Sequence, residues 1–221
     1  MKPRALDLFS GAGGATRGLQ LAGFHVTGVD IRPQPRYVGD HFIQADALNP
    51  PFDVRSFDFI WASPPCQAFT IASKVHRNAG TVYPDLIEAT RAMLRRSGTA
   101  WVIENVPGAP VRPDLILCGS QFGLPIARHR LFECSFPYFE LLAPCNHARD
   151  IITICGHGTP QWMRKRRIAR GLHPNASVAV KKAAIGVDWM NRGELAQSIP
   201  PAYSEFIGKA ALNYIRQGRA A

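Results

Sequence analysis

Apolar and polar positions alternate along the first half of the chain in short blocks separated by turns. Arg4 to Phe9 reads as a short strand, broken by the glycine-rich turn Ser10-Gly11-Ala12-Gly13-Gly14. Ala15 to Ala22 has helical spacing and stops at Gly23, a residue suited to a left-handed helix cap. Phe24 to Val29 predicts a second strand closing at Asp30, and a third strand is expected to end near Ala45-Asp46. Phe57 to Ala62 is an apolar run before Ser63-Pro64-Pro65-Cys66 and predicts a buried strand. Pro84 to Arg96 carries Leu86, Ile87, Met93 and Leu94 at helical spacing, and Ala100 to Ile103 predicts another buried strand ending at Glu104-Asn105. The tail from Glu194 to Ile215 returns to helical spacing. Strands alternating with helices predict an α/β domain with a doubly wound, mainly parallel sheet, whose ligands sit at C-terminal strand ends. Phe9, Asp30, Asp46, Cys66 and Glu104 all fall at such ends.

Charge breaks this regular pattern. The 221 residues carry 26 Lys and Arg against 16 Asp and Glu, a formal net charge of +10. Residues 1–110 hold 11 basic and 9 acidic residues, whereas residues 111–221 hold 15 and 7. From Ile151 to Val187 there is no acidic residue, while Arg164, Lys165, Arg166, Arg167, Arg170, Lys181 and Lys182 lie there beside Trp162. This stretch reads as an inserted basic segment, and a polyanion, most commonly nucleic acid, is its natural partner. A solvated basic face is the alternative.

Composition sets the outer bounds. With 46% hydrophobic and 19% charged residues, the chain reads as one globular domain with at most a small insertion. No stretch approaches the roughly 18 apolar residues of a membrane helix, and no apolar leader precedes a small-residue cleavage site. The five cysteines are widely spaced, which predicts no disulfide framework and a reducing, cytoplasmic setting.

Several residue groups carry candidate chemistry. Gly11, Gly13 and Gly14 allow a sharp turn and close backbone approach to a ligand at a helix start. Asp30, 19 residues after Gly11, can accept both hydroxyls of a ribose. The glycine spacing is not that of a dinucleotide site, and no Lys-Ser/Thr pair offers a triphosphate site, so a ribose-bearing cofactor without pyrophosphate fits better. Asp46 could accept from an adenine amino group or stand as a solvated strand-end carboxylate. Two prolines display Cys66 at a strand end, where Arg128 and Arg130 are candidates to favour its thiolate as a nucleophile. The alternative is a small buried hydrophobe, the reading given to Cys118, Cys134 and Cys155. Glu104, beside apolar neighbours, can carry a proton at a raised pKa or serve as a cap or ion-pair partner. Cys134, Cys145, His147, Cys155 and His157 match no common zinc-finger spacing and include no CxxC pair, so no metal centre is expected.

Five motifs resemble one family. Asp7-Leu8-Phe9-Ser10-Gly11-Ala12-Gly13-Gly14 looks like the first motif of the DNA (cytosine-5) methyltransferases. Pro64-Pro65-Cys66-Gln67 resembles their catalytic Pro-Cys-Gln motif, and Glu104-Asn105-Val106 their Glu-Asn-Val motif. Arg128-His129-Arg130-Leu131-Phe132 resembles their Arg-x-Arg motif, and Ser198-Ile199-Pro200-Pro201-Ala202-Tyr203 the C-terminal motif of short, phage-type members. The motifs stand in family order from residue 4 to about 212. The chain departs from the pattern at Ile126, where a Gln is usual, and lacks the usual Gly-Asn-Ala/Ser-Val of the last motif.

The resemblance implies a class I, Rossmann-like methyltransferase fold that uses S-adenosylmethionine. Residues 1–135 would be the catalytic and cofactor domain, 136–189 a short target-recognition region, and 190–221 a segment returning to the catalytic domain. Cys66 would attack carbon 6 of cytosine, with Glu104 on the ring nitrogen and exocyclic amine. Arg130 would hold the carbonyl oxygen, Arg128 support the thiolate, and Asn105 brace the strand end. Phe9, Ala12 and Gly14 would touch the cofactor, Asp30 and Ile31 its ribose and adenine, Asp46 and Ala47 the adenine edge, and Pro65 would align both substrates. The partner implied is double-stranded DNA whose target base leaves the stack. A monomer in a bacterial or phage-infected cell is expected, with or without a restriction endonuclease partner. Three alternatives stand beside it: an RNA cytosine methyltransferase, an inactive DNA-binding homologue, and an exocyclic-amine methyltransferase. The last uses an Asp/Asn-Pro-Pro-aromatic motif, which Pro64-Pro65-Cys66 does not match.

Overall fold

The computed structural model describes residues 2–70, 73–137, 142–148, 151–154, 161–171 and 175–220. Its strands are β1 (Arg4–Leu8), β2 (His25–Asp30), β3 (His41–Gln44), β4 (Phe59–Ala62), β5 (Ala100–Asn105), β6 (Leu115–Leu117) and β7 (Arg130–Cys134). They form one seven-stranded sheet in the order β3-β2-β1-β4-β5-β7-β6. Strands β1 to β5 run parallel, while β7 is antiparallel to both β5 and β6. The order reverses between β1 and β4, so the crevice above their C-terminal ends is where such a sheet binds ligands.

The central strands are apolar on both sides because both faces are covered. Side chains alternate between two cores. On one face Ala5, Val26, Phe59, Trp61 and Val102 pack against α1 (Gly14–Ala22) and α7 (Pro201–Ala220) through Leu19, Tyr203 and Ile207. On the other, Leu6, Leu8, Ile60, Ala62 and Ile103 pack against Ile87, Met93 and Leu94 of α3 (Ile87–Ser97). A short helix, α2 (Lys74–Asn78), follows the Cys66 loop.

The predicted strands and helices of residues 4–105 are present within a few residues of their expected ends. The helical tail divides at Ser198-Ile199-Pro200 into α6 (Arg192–Gln197) and α7. Pro200 and Pro201 supply no N–H and fix φ, so one helix ends and the next begins there. In the basic segment the described helices are α4 (Gln161–Ala169) and α5 (Val178–Ile185). A third apolar cluster joins Ala184, Ile185, Val187 and Met190 to Ala12 and Ile126, crossing the boundary expected at residue 189. No described helix is long and apolar enough to cross a membrane.

Candidate active site

The glycine loop is held at both its ends. Phe9, Gly11 and Gly13 take positive φ values of 61°, 50° and 87°, so the chain turns through left-handed backbone before α1 begins. Asp30, at the end of β2, accepts the Gly11 N–H (2.9 Å) on one oxygen and the Arg32 N–H (2.9 Å) on the other. A Cβ on Gly11 would meet nothing within 4 Å, so open space lies beside the loop at Asp30. Ser10 Oγ is buried without a partner among the described residues. Ile31 is 69% exposed at the same strand end.

Gly14 and Ala12 serve packing instead of opening the loop. A Cβ on Gly14 would sit 2.2 Å from Ser198 Oγ and 2.5 Å from the Ile199 carbonyl. Ala12 is buried in the third cluster, and its carbonyl accepts the Trp189 indole N–H at 2.7 Å. Beneath the loop, Asp7 is fully buried and takes the Thr16 hydroxyl at 2.5 Å. Burial pushes its carboxyl up to about 7, against the Thr16 bonds that pull it down. Asp46 is exposed, and its oxygens take the Leu48 N–H (2.9 Å) and the Asn49 side chain (3.0 Å), which lower its pKa. It shapes its own turn beside buried Ala47.

Cys66, Glu104 and both arginines come together across β4, β5 and β7. Glu104 is 4% exposed, and its carboxylate takes the Arg130 Nε–H at 2.8 Å. Ser63 also donates to Glu104, and the Trp61 indole N–H donates to Ser63 Oγ at 2.8 Å. Burial raises the Glu104 pKa, and Arg130, Ser63 and Arg128 oppose it. Asn105 braces the two strand ends: its Nδ2 donates to the Pro64 carbonyl at 3.0 Å, and its Oδ1 accepts the Val106 N–H at 2.9 Å. The tie fixes the turn carrying Pro65 and Cys66, whose carbonyl accepts from Phe69 and Thr70.

The thiol corrects one expectation. Arg130 and Arg128 do pull the Cys66 pKa down, but burial and the Glu104 charge push it up further, so the net shift is upward. The half-buried thiol in this arrangement keeps its proton longer than an ordinary cysteine.

Arg128 is half-buried, and its side chain donates to the Ile154 carbonyl (3.2 Å) and the Ala196 carbonyl (2.6 Å). Its Nε lacks a partner among the described residues. Burial, then Arg130, pulls its pKa down to about 9, so it remains a cation at neutral pH. A cavity of about 330 Å³ opens beside these groups, lined by Thr70, Val106, Pro107, Arg128, Arg130 and Ile154. Tyr203 stands in the C-terminal motif, where sequence reasoning assigns it no role. Its buried hydroxyl donates to the Arg128 carbonyl at 2.6 Å, so α7 holds the arginine turn in place. Ile126, at the departure from the family pattern, is buried, and a Cβ on Gly119 would lie 2.3 Å from its side chain.

The basic stretch divides in two. Arg164, Lys165, Arg166 and Arg170 of α4 and its end are exposed, as is Trp162, and Arg167 is half-buried. Lys181 was expected on a DNA-facing surface, yet it is 6% exposed: α5 turns it inward with Ala184 and Ile185. The Lys182 ammonium donates to the Asp188 carbonyl at 2.5 Å. Lys181 is therefore no part of an exposed basic face. Cys118 and Cys134 are buried, as expected of small apolar residues; Cys155 and His157 lie outside the described residues.

Comparison with known proteins matches residues 4–112 to the C-5 cytosine-specific DNA methylase family. A type II methyltransferase of Haemophilus parahaemolyticus, M1.HphI, is 34% identical over 87 residues. That match covers 33% of this chain and 23% of the relative's length. Among solved structures, an E. coli prophage protein described as a DNA modification methyltransferase superposes with a TM-score of 0.61 at 16% identity. It covers 98% of this chain and 100% of that one. A DNMT2 of Spodoptera frugiperda gives 0.62 at 12% identity over 95% of this chain and 99% of its own. The Dnmt2 methyltransferase of S. pombe gives 0.60 at 16%, over 97% and 99%. These likenesses identify the seven-stranded sheet as the Rossmann-like class I methyltransferase fold. The family match takes in the glycine loop, the Cys66 turn and the Glu104 strand end, so residues 4–112 carry a C-5 cytosine-specific DNA methylase domain.

Proposed function

We propose that the protein methylates carbon 5 of cytosine in double-stranded DNA through a covalent adduct on Cys66. The observation that carries this reading is the convergence of a half-buried thiol with buried Glu104, paired at 2.8 Å with half-buried Arg130, next to a cavity lined by both arginines.

The donor is S-adenosylmethionine, which when bound supplies the methyl group. The residues present fit it. The open space at Gly11, the orphaned Ser10 hydroxyl, the Asp30 carboxylate and exposed Ile31 lie together around the β1 and β2 ends. Asp30 takes the ribose hydroxyls and Ile31 packs on the adenine, with Phe9, Gly13 and Ala47 shaping the floor and Asp46 at the adenine edge. Pro65, the residue before Cys66, aligns both substrates.

The substrate base leaves the duplex to enter the cavity. Cys66 Sγ, once deprotonated, bonds to carbon 6 of the ring. Glu104 delivers a proton to ring nitrogen N3 and holds the exocyclic amine, and its raised pKa suits it to carry that proton. Arg130 takes the carbonyl oxygen, and Arg128 adds positive charge beside the thiolate. Carbon 5 then takes the methyl as the donor's sulfur–methyl bond breaks, its proton departs to a base, the Cys66 Sγ–carbon 6 bond breaks to restore the ring, and N3 returns its proton to Glu104. The exposed cations of α4 provide the phosphate-facing surface.

The test uses duplex DNA and labelled S-adenosylmethionine. Wild type should incorporate label at cytosine carbon 5, and 5-fluorocytosine duplex should trap a covalent adduct, because that ring has no carbon-5 proton to lose. Cys66→Ser should form no adduct and lose turnover by about three orders of magnitude or more, as nucleophile removals do. Robust Cys66→Ser turnover overturns the covalent route. Label in tRNA with none in duplex DNA overturns the choice of substrate.

A further inference from the structure

We propose that Cys118, His129, Cys145 and His147 form a structural zinc site that fastens the 142–148 loop to the arginine turn. Their four ligand atoms all lie within 4.8 Å of one another. Cys118 Sγ is 3.2 Å from His147 Nε2, and Cys145 Sγ is 3.5 Å from His129 Nε2. A tetrahedron built on Zn–S of about 2.3 Å and Zn–N of about 2.0–2.1 Å has edges of about 3.3–3.8 Å, so both pairs are close to that length. Two thiolates and two imidazoles in a closed set select zinc over hard cations.

The ligands come from three places in the chain. Cys118 follows β6 and begins the 3₁₀ turn Gly119–Phe122. His129 stands between Arg128 and Arg130. Cys145-Asn146-His147 belongs to a loop without helix or strand, exposed from Ala143 to Ala148. That loop has little apolar area to hold it, yet polar bonds place it against the turn. Ser120 Oγ donates to Cys118 Sγ (3.4 Å) and accepts the Asn146 N–H (3.0 Å). Gln121 donates to the Ala143 carbonyl (2.9 Å) and accepts the Cys118 N–H (2.7 Å). These are the outer contacts that orient metal ligands. The His129 and His147 rings meet edge to face at 5.1 Å. Two thiolates neutralise the dication, so the metal adds no net charge beside the two arginines. A disulfide between the cysteines would account for neither histidine. The site works by position: it anchors the residue between Arg128 and Arg130.

The experiment measures metal directly and does not depend on methyl transfer. Protein purified under reducing conditions and passed through EDTA should retain about one zinc per chain by mass spectrometry, as four-ligand structural sites do. Cobalt exchanged for zinc should show tetrahedral d–d absorption with thiolate charge-transfer bands. Cys145→Ala and His147→Ala change exposed side chains, so neither empties the core, and each should bring zinc to background. Cys145→His replaces one zinc ligand with another, and should keep the metal while weakening the charge-transfer bands. Zinc-free wild type overturns the proposal. So does zinc content unchanged in both alanine variants, or a Cys118–Cys145 disulfide in the reduced preparation.

Discussion

The glycine loop and the α4 helix are two regions built by opposite means. At the loop and the helix it opens, other parts of the chain fill the space beside Gly13, Gly14 and Gly18 and leave it open beside Gly11. The missing Cβ of Gly14 is taken up by Ser198 and Ile199, and that of Gly18 by the Pro201 carbonyl and Ser204. Asp30 commits both oxygens to backbone N–H groups. At α4, arginines, a lysine and Trp162 project into solvent, and none of the helix's described side chains belongs to the three buried apolar clusters. The loop is specified by packing and the helix by charge. A small-molecule pocket needs atoms fixed to fractions of an ångström, whereas a phosphate backbone rewards net positive charge over a broad area.

The contrast breaks if charge removal at α4 disturbs the fold. Replacing Arg164, Lys165 and Arg166 together with Ala should weaken duplex binding on the order of 10- to 100-fold at moderate salt. The logarithmic salt slope should flatten by about 0.9 for each phosphate that the variant no longer neutralises. Melting should stay within roughly 0.5 kcal/mol of wild type, as for surface changes. An unchanged salt slope would remove α4 from the DNA surface.

Packing at the loop predicts the reverse pattern. A Cβ on Gly18 would lie 2.0 Å from the Pro201 carbonyl. Gly18→Ala should therefore cost about 1–3 kcal/mol, a fall of roughly 2–4 °C in melting temperature per kcal/mol at this size. Its salt slope for DNA should not move. Melting identical to wild type would show that α1 and α7 do not pack closely.

The smallest effect sharpens the comparison at the thiol. Burial and Glu104 raise the Cys66 pKa, so the thiolate fraction is small at neutral pH and grows as pH rises. Alkylation of the Cys66 peptide by iodoacetamide should keep accelerating above the pH at which an unperturbed thiol levels off. Glu104→Gln removes a negative charge that raises this pKa, and should shift the midpoint down. A wild-type midpoint below that of an unperturbed thiol would show that the arginines outweigh burial.

The strand ends were legible in the sequence because turn residues mark them locally. Glycines announce the loop before α1, prolines the turn before Cys66, and an apolar run the strand before Glu104. The edge of the sheet was not legible. β6 is three residues long, and β7 is recognisable only once β5 is there to pair with it. Lys181 reads as a surface cation because charge alone says nothing of a helix's orientation; the apolar Ala184 and Ile185 on α5 draw it inward. Cys118 and His129 escape a search for metal ligands along the chain because their partners are distant in sequence, and the sheet edge and loop bring them together. Tyr203 is visible as part of a motif, but its bond to the Arg128 carbonyl depends on α7 crossing beneath that turn.

The seam between α1 and α7 also sets an order of assembly. Leu19 and Phe24, near the start of the chain, share a core with Tyr203, Ile207 and Ala211, about 190 residues later. On the ribosome, the strands and first helix emerge long before the helix that covers them, and at about 5–20 residues per second that delay is on the order of ten seconds or more. During that interval an apolar sheet face lies open to solvent and to chaperones. Contacts so distant in sequence also predict slow folding of the free chain. The glycine loop reaches its final shape only when Ser198 and Ile199 close against Gly14, so the loop matures last although its residues are made first.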